Sequence, residues 1–102
     1  MIVQPKNSAD PCQYYKPIGQ QALTVDGTVR QPAVPPGCRM AHIFVRKGTV
    51  RMTMNGVAPV AATTGITLFD GYEEFWSHLE LAVVKLIKED VEDGEVHCIY
   101  YA

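Results

Sequence analysis

Residues 39–56, R-M-A-H-I-F-V-R-K-G-T-V-R-M-T-M-N-G, decide the fold class of this 102-residue chain. Side chains alternate with a period of two, which predicts strands over 39–46 and 49–54, joined by a Lys-Gly turn. Both registers of the first strand contain apolar residues, which is typical of a central strand buried on both faces. The second strand is apolar on one face only and ends at Asn-Gly, the strongest two-residue turn signal in the chain. The stretch therefore predicts two neighbouring strands.

The same pattern extends outward in both directions. Short apolar runs at 22–25, 66–69 and 95–101 predict further strands, and the first two are followed by an Asp-Gly turn dipeptide. Turn signals recur every eight to fifteen residues, and the sequence holds seven or eight strand candidates. This spacing is typical of a small all-β domain, and we predict an antiparallel β-sandwich or jelly-roll-like fold.

Residues 73–90 fit two different structures. Their apolar side chains recur at helical spacing, which favours a helix over 77–88 capped by Ser77. The β-branched pairs and the surrounding strands favour two strands instead, over 75–81 and 83–88. We predict the two strands, because the rest of the body is β.

The N-terminal part of the chain has a different composition. Six of the seven prolines fall in the first 36 residues, and proline cannot donate a ladder hydrogen bond. We predict an extended arm over residues 1–20 and a β-sandwich domain over 21–102. Tyr14 and Tyr15 are predicted to anchor the arm on a partner, although a frayed terminus is an alternative.

Charge is distributed unevenly. Residues 1–56 carry a net charge of +5 and residues 57–102 a net charge of −7, so the total is −2. The two halves form either separate solvated faces or complementary surfaces that meet between subunits or on a partner. The predicted strands bring basic residues onto a band that suits acidic protein surface: Arg39, Arg46, Lys47 and Arg51. A nucleic-acid partner is not expected, because the single tryptophan provides no stacking platform.

The sequence shows no motif that carries chemistry. Phosphate loops, nucleophile elbows and H-E-x-x-H are missing, and the three histidines are isolated, so we expect no enzyme, cofactor or metal site. Three cysteines without C-x-x-C exclude zinc-ribbon spacing. No signal peptide or apolar run of membrane-spanning length is visible. We therefore expect a reduced protein that is assembled in the cytoplasm and has no membrane partner.

Residues 41–102 resemble small structural proteins from the virion gene clusters of tailed bacteriophages. Those proteins often show V-R-x-T-x-D-G-x-x-P-T-A, a G-x-x-L-x-x-G turn and a last strand ending in Tyr-Tyr. Asn55 stands here where Asp is common, and Val60 where Thr is common. The matching stretches are A-H-I-F-V-R-K-G-T-V-R-M-T-M-N-G-V-A-P-V-A (41–61), G-I-T-L-F-D-G (65–71), L-E-L-A-V-V-K-L-I-K (79–88) and I-Y-Y (99–101). The first 40 residues match no family pattern.

The resemblance implies a virion component, best described as a capsid decoration or cement protein. Such proteins commonly sit as homotrimers on the capsid surface, where they bind the major capsid protein, and the arm would reach along that surface. One alternative is a small tail or baseplate module that binds a receptor or carbohydrate through Tyr72, Phe75 and Trp76. Another is a cupin-like metal enzyme, which the scattered histidines do not favour.

Overall fold

A computed structural model describes residues 15–60 and 63–102 of the chain. Within them the elements are β1 (Pro17–Val25), β2 (Met40–Lys47), β3 (Val50–Thr53), β4 (Ile66–Leu68), β5 (Glu73–Ser77), α1 (His78–Val83), β6 (Lys85–Lys88) and β7 (Gly94–Tyr101). The seven strands form a four-stranded sheet, in the order β1-β7-β2-β5, and a three-stranded sheet, in the order β4-β3-β6. All pairings between these strands are antiparallel, which confirms the predicted all-β class.

The stretch that fitted both helix and strand contains both. β5 ends at Ser77, and the six-residue helix α1 follows, so the strand predicted over 75–81 is wrong beyond residue 77. Ser77 Oγ accepts a hydrogen bond from the Glu80 backbone N–H, and the Glu80 carboxylate accepts one from the Ser77 N–H at 2.8 Å. This reciprocal capping box starts the helix. The chain becomes extended again at Val84, and the strand predicted over 83–88 forms as β6. In the described residues no helix is long and apolar enough to cross a membrane.

The first strand is longer than its apolar run. β1 starts at Pro17 because β7 supplies partners along its whole length, from Tyr101 opposite Pro17 to Gly94 opposite Val25. Residues 17–20, assigned to the arm from the sequence, therefore belong to the sheet. Of the rest of the predicted arm, residues 15 and 16 are described and residues 1–14 lie outside the described residues.

The core lies between the two sheets. Alternate residues of β7 point into it, and every second residue of that strand is buried. Trp76 and Tyr100, with 1% and 2% of their surfaces exposed, are the largest side chains inside. The three-stranded sheet contributes four buried apolar residues to the same cluster: Val50, Met52, Leu68 and Leu86. Burial of both inner faces against each other stabilises a two-layer sandwich.

Glycine allows the closest backbone approach beside the three-stranded sheet. Gly65 has a φ of +117°, and a Cβ atom there would lie 2.7 Å from the Met52 carbonyl oxygen and 2.9 Å from Arg51 Cγ. Any side chain would meet both the strained dihedral and the neighbouring strand. The residue thus fixes how the chain enters β4.

Candidate interaction surfaces

One corner of the sandwich brings together two of the residues predicted to bind a partner. The guanidinium carbon of Arg39 lies 5.7 Å from the centre of the Tyr15 ring, within cation–π distance. Backbone hydrogen bonds fix both residues, because Arg39 donates to Tyr101 and neighbouring Lys16 pairs with Ala102. Tyr15, Gly37, Cys38, Arg39 and His78 surround a hollow of about 450 Å³. We call these five residues the basic corner.

Tyr14, the other predicted anchor, lies outside the described residues.

The predicted basic band does not form. β2 and β3 follow each other in the chain but belong to different sheets, so their basic side chains are not on neighbouring strands. Arg46 is exposed, with its guanidinium carbon 5.8 Å from the centre of the Phe44 ring. Lys47 is also exposed, and its Nζ lies 4.0 Å from a carboxylate oxygen of Glu92. The turn between β2 and β3 carries the chain from one layer to the other, which the strand pattern alone does not reveal.

Arg51 is occupied within the chain. It donates two hydrogen bonds to the Glu89 carboxylate, at 2.5 and 3.1 Å, and a third to the Gly65 carbonyl at 2.9 Å. The hydrogen bond to Glu89 raises the pKa of the guanidinium. Only 14% of the Arg51 side chain is exposed. These contacts tie β3 to the loops on either side and leave little of Arg51 for a partner.

The outer face of the four-stranded sheet carries four rings, of which only Phe75 was assigned to a candidate site from the sequence. The His42 ring stacks on Phe75 at 4.7 Å between centres and lies 5.2 Å from Phe44, which in turn lies 5.6 Å from His97. All four side chains are half-buried. Together with their neighbour Ile99 on β7, we call them the outer aromatic face.

Carboxylates border the outer aromatic face, and two hollows make its surface uneven. His42 Nε2 lies 2.6 Å from a carboxylate oxygen of Glu73. His97 Nε2 lies 3.4 Å from a Glu95 oxygen, in a geometry that does not make a hydrogen bond. The Phe44 ring separates two hollows of about 250 Å³ each, one over β7 and β1 and the other beside the turn at Gly71. The face is therefore ridged, with Ala22 and a hollow on the β1 side and rings on the β5 side.

Side chains capable of acid–base or metal chemistry are dispersed over the described residues. Across residues 15–60 and 63–102, no group of three or more histidine, cysteine, aspartate or glutamate side chains is arranged to hold a metal ion. The adjacent Glu73 and Glu74 separate, because Glu73 meets His42 while Glu74 accepts a hydrogen bond from the Tyr72 hydroxyl. Trp76 lies in the core, so the aromatic platform considered for a tail module does not form as predicted.

The polar groups of the core are held in their neutral forms. Burial raises the pKa of the Cys98 thiol to about 11. Burial and the neighbouring Cys98 also raise the pKa of the Tyr100 hydroxyl, which donates a hydrogen bond to the Gln21 side chain at 2.8 Å. Burial disfavours the thiolate, which is the nucleophilic form of cysteine, so Cys98 is not activated as a nucleophile. Burial disfavours the ionised form of the Tyr100 hydroxyl in the same way.

Comparison with known proteins gives no match: no family model, no curated protein and no solved structure matches the chain. Function is therefore inferred from the contacts and charges described above and from the resemblance of residues 41–102.

Proposed function

We propose that the chain is a bacteriophage capsid decoration protein, which binds the assembled lattice of major capsid protein and stabilises it. The observation that carries this proposal is the basic corner, where Arg39 and Tyr15 are held together beside a hollow of about 450 Å³. Tyrosine and arginine are among the residue types enriched at the centres of protein interfaces. The resemblance of residues 41–102 supports the choice of a capsid as the partner.

The chemistry of the basic corner suits an acidic protein surface. Arg39 is exposed, and so is Lys16, the residue after Tyr15. The N-terminal segment joins the fold here, so it can extend the contact along the same partner. A proline-rich segment loses less conformational entropy when it is ordered on a surface than a flexible one does.

Stabilisation of the capsid follows from mass action. A protein that binds only the assembled lattice lowers the free energy of that state by an amount that grows with its free concentration. A homotrimeric ring at junctions between capsomers, as the resemblance implies, would contact several capsid subunits at once and gain affinity from multivalency. Charge pairing between the two halves of the chain gives this ring less support than the composition suggested. Lys47 and Arg51 already pair with Glu92 and Glu89 of the same chain.

The test compares two charge reversals on assembled capsids of the phage that encodes the chain. Arg39→Glu is expected to weaken co-sedimentation with capsids at least about tenfold, because it places a carboxylate against an acidic surface. Lys85→Glu, an equal charge change on the other sheet, is expected to bind like the unmodified protein. Deletion of residues 1–14 leaves β1 complete and is expected to weaken binding as well.

Three results would contradict the proposal. These are the absence of the unmodified protein from capsids, a location on the tail in electron microscopy of labelled virions, and equal binding by Arg39→Glu and Lys85→Glu. Circular dichroism of each variant separates a lost contact from a lost fold.

A further inference from the structure

We infer that the outer aromatic face is an interface with a second copy of this chain, related by a two-fold axis that runs parallel to the strands between β2 and β7. β2 is apolar in both registers, yet the core covers only its inner side, where Ile43 and Val45 are at most 1% exposed. Its outer side chains, His42 and Phe44, keep contact with solvent. A second copy would give the strand the cover on both faces that its sequence predicts.

The relief of the face is self-complementary about this axis. Three of the four rings lie on β2 and β5, while β7 and β1 contribute His97, Ile99 and Ala22 around a hollow of about 250 Å³. Phe44 and His97 are register partners on β2 and β7, so the axis between these strands places Phe44 of each copy over His97 of the other. Each Phe44 ring then enters the hollow of the opposite copy. Aligned packing of two sheets accommodates this arrangement.

Charge is complementary about the same axis. Arg46 and Glu95 lie at the same end of the face, one on β2 and the other on β7, so the two-fold operation brings Arg46 of each copy to Glu95 of the other. Arg46 is exposed and Glu95 has 42% of its side chain exposed. Two reciprocal ion pairs at the rim would fix the register of the paired sheets.

The area of the face predicts a weak pair. Four strands spaced about 4.8 Å apart and seven residues long, at about 3.4 Å per residue, span about 450 Å² of sheet. Two copies would bury roughly twice that area, which lies at the low end for specific interfaces. We therefore expect a concentration-dependent dimer instead of an obligate one. This pairing concerns the free chain and does not depend on capsid binding, whereas the trimeric ring that the resemblance implies concerns the chain on the capsid.

Sedimentation equilibrium of the full chain, from about 10 µM to about 1 mM, tests the pairing. The mass is expected to rise from 11.3 kDa toward twice that value. Phe44→Asp is expected to remain a monomer throughout the range. Its matched control is Phe69→Asp, at an exposed phenylalanine after β4, which is expected to associate like the unmodified protein. A chain that stays monomeric at about 1 mM, or a limiting mass of three copies, would overturn the inference.

A charge exchange tests the axis itself and does not touch the rings. Arg46→Glu and Glu95→Arg are each expected to raise the dissociation constant at least about tenfold, because each opposes like charges across the axis. The double variant restores opposite charges and is expected to recover most of the affinity. If the double variant associates no better than the single ones, Arg46 does not face Glu95 of a second copy and the proposed axis is wrong.

Discussion

The two sheets differ in how their outer faces are completed. On the three-stranded sheet, the central Arg51 is tied to Glu89 and to the Gly65 carbonyl, so the chain itself satisfies the charged group. On the four-stranded sheet, the outer aromatic face presents half-buried rings with carboxylates at its border. The first face is finished by polar contacts within the chain, whereas the second exposes apolar surface of the kind found at interfaces.

Because of this difference, we expect the residues that determine the stability of the fold and the residues that determine its association to lie on different faces. Substitutions on the inner faces and in the three-stranded sheet should change the free energy of unfolding. Substitutions on the outer aromatic face should change association and leave stability largely unaltered. β5 allows a direct comparison, because Trp76 points inward and its neighbour Phe75 points outward.

The largest effect is expected for Trp76→Ala. Trp76 is 1% exposed, so its truncation removes a large buried ring and leaves a cavity, at a cost of about 3–5 kcal/mol in the free energy of unfolding. Phe75→Ala, one residue earlier, removes only the stacking on His42 and part of a half-buried surface and should cost about 1 kcal/mol. Urea denaturation of both variants as monomers measures the two values. Equal losses would mean that the outer face is as much a part of the core as the inner one.

A smaller effect is expected for Gly65→Ala, beside the three-stranded sheet. The added Cβ would lie 2.7 Å from the Met52 carbonyl at a φ of +117°, and the strain should cost about 2–3 kcal/mol. Gly56→Ala is the matched control, because Gly56 has a φ of +82° with no atom within 4 Å of the new Cβ. It should cost about 1 kcal/mol. Similar losses at both positions would show that the backbone dihedral matters and the close approach does not.

Strand positions could be predicted because burial of one face imposes a period of two. β2, β3, β4 and β7 match the predicted runs to within one or two residues. The short helix was missed because the β-branched residues around Val83 fit a strand, whereas the capping box at Ser77 and Glu80 is a local signal that overrides them. Local pattern also cannot show which strands share a sheet, since that depends on contacts far apart in the chain.

The candidate surfaces were predictable only in part. Arg39 and Tyr15 were selected as partner residues, and the fold brings them together. Arg51 was selected by its charge, but charge does not reveal the carboxylate 38 residues away that occupies it. The sequence signal for the outer aromatic face was that both registers of the strand predicted over residues 39–46 contain apolar side chains. Recognising a surface also required the positions of Phe75 and His97, which come from other strands.

The smallest effect is expected at the edge of the three-stranded sheet, where residues 26–30 lie along β6. Arg30 and Leu86 exchange backbone hydrogen bonds, and Asp26 holds this segment through the Arg30 side chain at 2.7 and 3.0 Å and the Thr28 N–H. The hydrogen bond from Arg30 lowers the pKa of Asp26 from 3.8 to about 2. Because the folded-state pKa of Asp26 is the lower one, the stabilisation is complete above pH 4 and is lost as the pH falls toward 2.

Asp26→Asn should therefore unfold at lower urea concentration than the unmodified protein at pH 5–7, with the two midpoints converging near pH 2. Arg30→Gln removes the main cause of the shift and should show the same convergence. A midpoint difference that persists at pH 2 would mean that Asp26 stabilises the edge through its shape and not through its charge.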